Sequence, residues 1–222
     1  AYTFTPIFML SKEEIYFPYE NIREIQSDLI LTVKEALEKK TNLIAHAPTG
    51  LGKTIAALAP ALKFAFENKL TVFFLTSRHT QHQIVVNTLR QIKKRYGIQI
   101  KVSDIIGKKW MCLQQNVDEL YSIDFHDYCK GLVEENKCEF YSNSKTQTAQ
   151  PTVKAKKLLD EFKTLSPLHT EEVMDICRRE KMCPYEISSL MAKDADVIIA
   201  DYYYIFHPNI RQMFFQKANK EL

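Results

Sequence analysis

Apolar side chains at Ile22, Ile25, Leu29, Ile30, Val33, Ala36 and Leu37 follow helical spacing and predict a helix over residues 22–40. A strand is expected over 42–47, a glycine-containing loop over 48–52, and an apolar helix over 53–68. Residues 70–76 hold Val72, Phe73, Phe74 and Leu75 in succession, which predicts a strand buried on both faces; a helix over 80–96 follows. A short β-like segment is expected at 98–102. This alternation of strand and helix is that of a parallel α/β sheet. Beyond it the pattern deteriorates, with no core evident, and residues 142–157, rich in Ser, Thr, Gln and Lys, predict a mobile loop. Helical spacing returns over 170–192, and Val197-Ile198-Ile199 within 196–200 predicts a final buried strand. The order is α/β, an irregular interval, then α/β, with no internal repeat.

Hydrophobic residues make up 45% of the 222 positions, enough for one large domain or two small ones without disulfides. No secretory leader opens the sequence, and no apolar run of about 18 residues could span a bilayer. The expected setting is intracellular, in cytoplasm or nucleoid for an archaeal source, with no membrane partner. Clustered cysteines there serve metals more often than disulfides. The net charge of +3 is too small to identify a nucleic-acid partner. Residues 104–183 carry 12 Lys and Arg against 14 Asp and Glu, while the remainder carries 18 against 13. Contact with nucleic acid must therefore come from local patches. Lys108-Lys109 and Lys154, Lys156 and Lys157 are candidates, beside the plainer reading of a solvated lysine face.

Ala47-Pro48-Thr49-Gly50-Leu51-Gly52-Lys53-Thr54 stands between a predicted strand and a predicted helix, the context a Walker A loop needs. Its glycines allow a tight turn whose backbone N–H groups point at phosphate, and the helix N-terminus adds a positive dipole end. Lys53 would neutralise the β- and γ-phosphates and Thr54 would hold Mg²⁺, which makes these two the catalytic candidates. Pro48, Thr49, Gly50, Leu51 and Gly52 complete the ATP-binding set. Upstream, the amide of Gln26 both donates and accepts, as recognition of an adenine edge requires.

Five cysteines all fall between residues 112 and 183. Structural zinc sites usually present two close Cys pairs. Here Cys112 and Cys129 are separated by 16 residues, Cys129 and Cys138 by 8, and Cys138 and Cys183 by 44. Wide spacing suits an iron–sulfur cluster held from separate segments better than zinc, with buried free thiols as the bland alternative. Cys177, separated from Cys183 by five residues, is a competing ligand. His126 and His169 are expected at the surface.

In order, Phe17-Pro18-Tyr19 with Gln26, the loop 47–54, Leu75-Thr76-Ser77-Arg78-His79-Thr80, Gly107-Lys108-Lys109-Trp110-Met111-Cys112, Cys183-Pro184-Tyr185, and residues 195–208 with Tyr202 and Tyr204 resemble the XPD/DinG group of superfamily 2 helicases, archaeal XPD most of all. The resemblance implies an α/β fold: a RecA-like P-loop parallel-sheet domain, partial, interrupted by a small, mainly helical iron–sulfur domain. Residues 1–103 would be the first part of motor domain 1, 104–190 the inserted 4Fe-4S domain, and 191–222 the return to the motor. It also implies the N-terminal portion of an ATP-dependent 5′→3′ DNA helicase of DNA repair, with a 4Fe-4S cluster, ATP and Mg²⁺ as cofactors. Cys112, Cys129, Cys138 and Cys183 would be the cluster ligands, leaving Cys177 spare. Arg78, His79 and Thr80 would touch the DNA backbone, with Thr80 as a helix cap the competing reading, and Lys108 would sit near DNA beside the cluster. Tyr185, Tyr202 and Tyr204 would stack on bases or fill a core edge.

Implied partners are single-stranded and forked DNA, repair-complex proteins, and the remainder of the helicase: its Asp-Glu-Ala-His box, arch domain and second RecA-like domain. The 222 residues hold no Asp-Glu-Ala-His box, so this portion alone is expected not to hydrolyse ATP. The alternatives are a nucleotide-regulated nucleic-acid-binding module without motor activity, or an RNA helicase.

Overall fold

The computed structural model describes residues 14–221. The chain divides into two compact units, one running to Val72 and including Asn87–Gln99, the other comprising Phe73–Val86 and the chain from Ile100 onward. Among the described residues, no helix is long and apolar enough to cross a membrane.

In the first unit, α1 (Glu24–Glu38) packs on α2 (Lys53–Asn68). The face of α2 formed by Ile55, Leu58, Ala59 and Leu62 is buried, as is Ile30 of α1. Tyr16 packs against Phe66 and Tyr96, and the Tyr96 hydroxyl donates to the Phe17 carbonyl at 2.6 Å. Residues 42–47, expected to be a strand, are not one. No neighbouring strand pairs with them among the described residues, and Ile44 is 99% exposed. An unpaired extended segment in water has no ladder to hold it as a strand.

The second unit is built on three strands, β1 (Val72–Leu75), β2 (Val102–Ile105) and β3 (Val197–Ala200), in the order β1-β3-β2. β3 is parallel to β2, with Val102 opposite Val197 and Asp104 opposite Ile199. As the central strand, β3 is wholly buried. β1, expected to be buried on both faces, is only half-buried because it forms an edge. β2 begins at Val102, four residues after the expected start, where the pairing with β3 begins. Its outer edge is covered rather than left open: the Val102 N–H donates to Ser166 Oγ at 2.8 Å, and Ser103 Oγ donates to the Ser188 carbonyl at 2.8 Å. The expected helix over 80–96 is α3 (His79–Tyr96), whose first half belongs to this unit and second half to the other.

Between β2 and β3 lie α4 (Ser122–Glu134), α5 (Glu139–Ser144), α6 (Val153–Leu165), α7 (Thr170–Arg179) and α8 (Pro184–Met191). The mobile loop expected over 142–157 is instead the end of α5, a bridge pairing Lys145 with Pro151, and the start of α6. Thr152 caps α6 by accepting the Ala155 N–H at 3.0 Å. Ala155, Leu158 and Phe162 then pack with Val173, Cys177, Met182 and Ile187 into a core that the polar composition concealed. The single helical region expected over 170–192 is broken between α7 and α8, where Lys181 takes a left-handed φ of 51° and Pro184 starts a new helix. After β3 come α9 (Tyr203–Phe206) and α10 (Pro208–Ala218), which carries Phe214 and Phe215 against the sheet's core residues.

Candidate nucleotide loop and cysteine pocket

Gly50 and Gly52 take left-handed φ values of 81° and 85°, which bend residues 48–52 into the start of α2. At Gly52 the need for glycine is also steric, since a Cβ would stand 2.6 Å from Gln26 Nε2. α1 holds this turn from the side. Gln26 Nε2 donates to the Leu51 carbonyl at 3.1 Å and the Gly52 carbonyl at 3.4 Å, and Arg23 donates to the Gly50 carbonyl at 2.9 Å. Gln26 Oε1 accepts the Arg23 N–H at 3.4 Å, so both ends of the amide are occupied. Lys53 folds back, donating to the Ala47 and Pro48 carbonyls at 3.0 and 2.8 Å. Its ammonium braces the loop here, while Thr54 lies half-buried in the first turn. The leading N–H groups of such a helix lack intrahelical partners and remain available to an anion.

In the second unit, Cys112, Cys129, Cys138 and Cys183 line one pocket, together with Lys108, Gln114 and an apolar wall that includes Phe125, Leu132 and Phe140. Among the described residues, no three His, Cys, Asp or Glu side chains form a group that could hold a metal ion. The four thiols thus share a pocket without converging on one point. Two of them open helices, Cys138 preceding α5 and Cys183 preceding α8. The Cys183 N–H donates to the Phe140 carbonyl at 3.0 Å and to Ser144 Oγ at 2.8 Å, which ties the two helix starts together.

Burial pushes the Cys183 thiol up to about 12, and the Glu186 carboxylate adds to that. Burial also raises Cys112, with Cys129 and Cys138 contributing. For Lys108 burial pulls the ammonium down, but Cys129, Glu186 and Cys183 outweigh it and the net shift is upward. A positive centre among these sulfurs would relieve the penalty on their anionic form.

Cys177 is absent from the pocket lining. It is fully buried in the α6–α7–α8 core, and burial, followed by Cys183 and Glu180, raises its thiol to about 12. It is a packing residue. His126 is exposed as expected, but His169 is not: at 6% exposure it caps α7, accepting the Glu171 N–H at 3.4 Å.

Arg78, His79 and Thr80 are exposed at the start of α3. Lys108 is half-buried, its Nζ 5.6 Å from the Tyr185 ring centre, with Lys217 at 5.0 Å from the same ring. Tyr185 is thus flanked by cations, and Tyr204 is buried with its hydroxyl donating to the Ile106 carbonyl at 2.8 Å. Base stacking by Tyr204 is excluded by that burial. Tyr202 is exposed, as are its neighbours Tyr203 and Phe206, which the sequence pattern did not single out. Also missed was an ion triad, buried Lys145 and Glu186 with half-buried Lys217, whose members are unremarkable in sequence until the fold joins them.

Residues 74–221 match the DEAD_2 family model. A Caenorhabditis briggsae homolog of regulator of telomere elongation helicase 1 is 24% identical over 241 residues, covering 95% of this chain and 23% of that protein. The general transcription and DNA repair factor IIH helicase subunit XPD of Arabidopsis thaliana is 24% identical over 242 residues, covering 97% of this chain and 30% of that protein. A probable ATP-dependent helicase of Methanocaldococcus jannaschii is 38% identical over 92 residues, 41% of this chain and 13% of that one. The chain therefore spans less than a third of the length of these relatives. Among solved structures, a truncated XPD aligns with a TM-score of 0.50 at 23% identity, covering 86% of this chain and 48% of its own, which supports a shared fold. With two thirds of its length matched by that family model, the chain belongs to the DEAD_2 family of XPD-type superfamily 2 helicases.

Proposed function

We propose that this chain is the nucleotide-binding and cluster-bearing portion of an ATP-dependent 5′→3′ DNA helicase acting in DNA repair. The observation that carries the reading is the shared pocket of Cys112, Cys129, Cys138 and Cys183, four residues distant in sequence, beside Lys108. Four thiols in an apolar-walled pocket are the donor type that a 4Fe-4S cluster takes. When bound, the cluster would supply a rigid covalent tie among segments otherwise joined by α-helices.

The chain's own residues do the rest. Lys53, now bonded to the Ala47 and Pro48 carbonyls, would pair with the β- and γ-phosphates of a bound nucleotide, the loop and helix N–H groups would cradle them, and Thr54 would hold Mg²⁺. Gln26 reads the adenine edge once its bonds to Leu51 and Gly52 are released. Arg78, His79 and Thr80 contact the backbone of a single strand without regard to sequence, and Lys108 adds charge near it. Hydrolysis and strand separation belong to the whole protein.

Anaerobic purification followed by iron and sulfide analysis tests the cluster. About four irons per chain with brown colour are expected, and a colourless zinc-loaded protein would sink the proposal. Forked DNA substrates with 5′ or 3′ tails and an RNA equivalent, given to the whole protein with ATP, test direction and substrate. Unwinding confined to RNA, or none at all, would overturn the helicase reading.

A further inference from the structure

The buried stripe of α3 contains two polar residues, Thr88 and the more deeply buried His82. His82 is 0% exposed, and its Nδ1 lies 2.5 Å from Asp104 Oδ1, itself 1% exposed in β2. The other carboxylate oxygen of Asp104 accepts the N–H of Thr170, the first residue of α7, at 2.9 Å, while Thr170 Oγ1 donates to the Asp104 carbonyl at 3.2 Å. His169 Nε2 stands 3.7 Å from the same Oδ2. Three segments remote in sequence thus meet on one carboxylate. His82 Nε2 is buried without a hydrogen-bond partner among the described residues. A half-satisfied imidazole is a poor way to stabilise a core. What this ring provides is direction, since its Nδ1 bond orients Asp104 toward α7.

Both ends of this chain of bonds lead to candidate functional groups. At one end, Thr76 Oγ1 donates to Gln81 Oε1 at 2.6 Å and accepts the Arg78 N–H at 3.3 Å, which fastens the exposed loop with Arg78, His79 and Thr80 to the first turn of α3. At the other, α7 runs from Asp104 to the turn in which the Met182 N–H bonds the Cys177 carbonyl, and Cys183 follows directly.

We propose that His82 is a positioning residue which, through Asp104, couples the loop over 76–80 to the N-terminus of α7 and so to the turn presenting Cys183. Engagement of a nucleic-acid strand by the loop then stiffens α7. The inference rests on the reading of Arg78, His79 and Thr80 as strand contacts.

The test is hydrogen exchange at the Thr170 amide, which reports the bond to Asp104 directly, in the chain with and without single-stranded oligothymidylate. Saturating oligonucleotide is expected to slow that exchange about fivefold or more. His82→Leu should still bind, by fluorescence anisotropy, but lose the slowing. His82→Asn, whose amide can restore a donor to Asp104, should regain it, a rescue that simple filling of space would not produce. Binding with unchanged Thr170 exchange in the wild type, or slowing retained in His82→Leu, overturns the coupling and leaves the contact reading standing. Absence of binding by the wild type overturns both. If His82→Leu does not fold, the wild-type comparison decides alone.

Discussion

Glu186, on the third residue of α8, is 1% exposed and lies between two ammonium groups. Its Oε1 is 2.8 Å from Lys217 Nζ and its Oε2 2.6 Å from Lys145 Nζ. The Lys145 side chain is 9% exposed and that of Lys217 34%. Glu186→Gln keeps the shape and removes the charge, leaving Lys145 buried with no counter-charge. Breaking a buried pair in this way costs about 3–5 kcal/mol. The better solvated Lys217 arm adds about 0–1 kcal/mol.

Burial raises the Glu186 carboxyl, but Lys217 and Lys145 outweigh it and hold it below its ordinary value. A depressed carboxylate contributes stability that is fully present above its unfolded value of about 4.3 and is lost as pH falls through the folded value. The gap between wild type and variant should therefore be widest near neutrality and close below about pH 4. Urea unfolding followed by fluorescence of the single tryptophan, Trp110, reads the second unit directly. A loss under about 1 kcal/mol at neutral pH, or a gap that does not change on acidification, would refute the reasoning.

Gly52→Ala combines a left-handed φ with a Cβ 2.6 Å from Gln26 Nε2, so a stability loss of about 1–3 kcal/mol and weakened ATP binding are expected by thermal melting and calorimetry. Unchanged melting would show that the turn relaxes freely. Lys53→Met should abolish measurable Mg²⁺–ATP binding by calorimetry while leaving the melting temperature nearly unchanged, because the side chain is exposed; a large drop in melting temperature would make the lysine chiefly structural. Cys177 should resist iodoacetamide in the native protein, and Cys177→Ala should retain iron that Cys183→Ser loses. Rapid alkylation of Cys177, or the reverse pattern of iron loss, would reassign the fourth ligand.

Much of the helical framework was legible because apolar periodicity is a local signal. α2 and α3 start and end within a few residues of expectation, and the buried run at 197–199 became the central strand. The errors arose where local pattern and tertiary demand part. Residues 142–157 read as a loop because Lys154, Lys156 and Lys157 dominate the composition, yet Ala155, Leu158 and Phe162 at helical spacing supply enough apolar face for α6 once α7 and α8 cover it. His169 read as a surface residue because nothing in sequence announces a capping role. His82 and Asp104 gave no signal, because each finds its partner in an element remote in sequence.

By itself the sequence determined the turn over residues 48–52, because the left-handed φ values there favour glycine at Gly50 and Gly52. It also determined that Cys112, Cys129, Cys138 and Cys183 were worth considering together, since thiol chemistry is written in residue type. Which thiols share a pocket and which one packs a core was decided by the tertiary structure alone. Cys177 and Cys183 are close in sequence, but α7 turns the first into the apolar core, while the break before Pro184 lets the second open α8 at the pocket. That division depends on which helix face is covered, and the covering residues come from segments the local sequence does not contain.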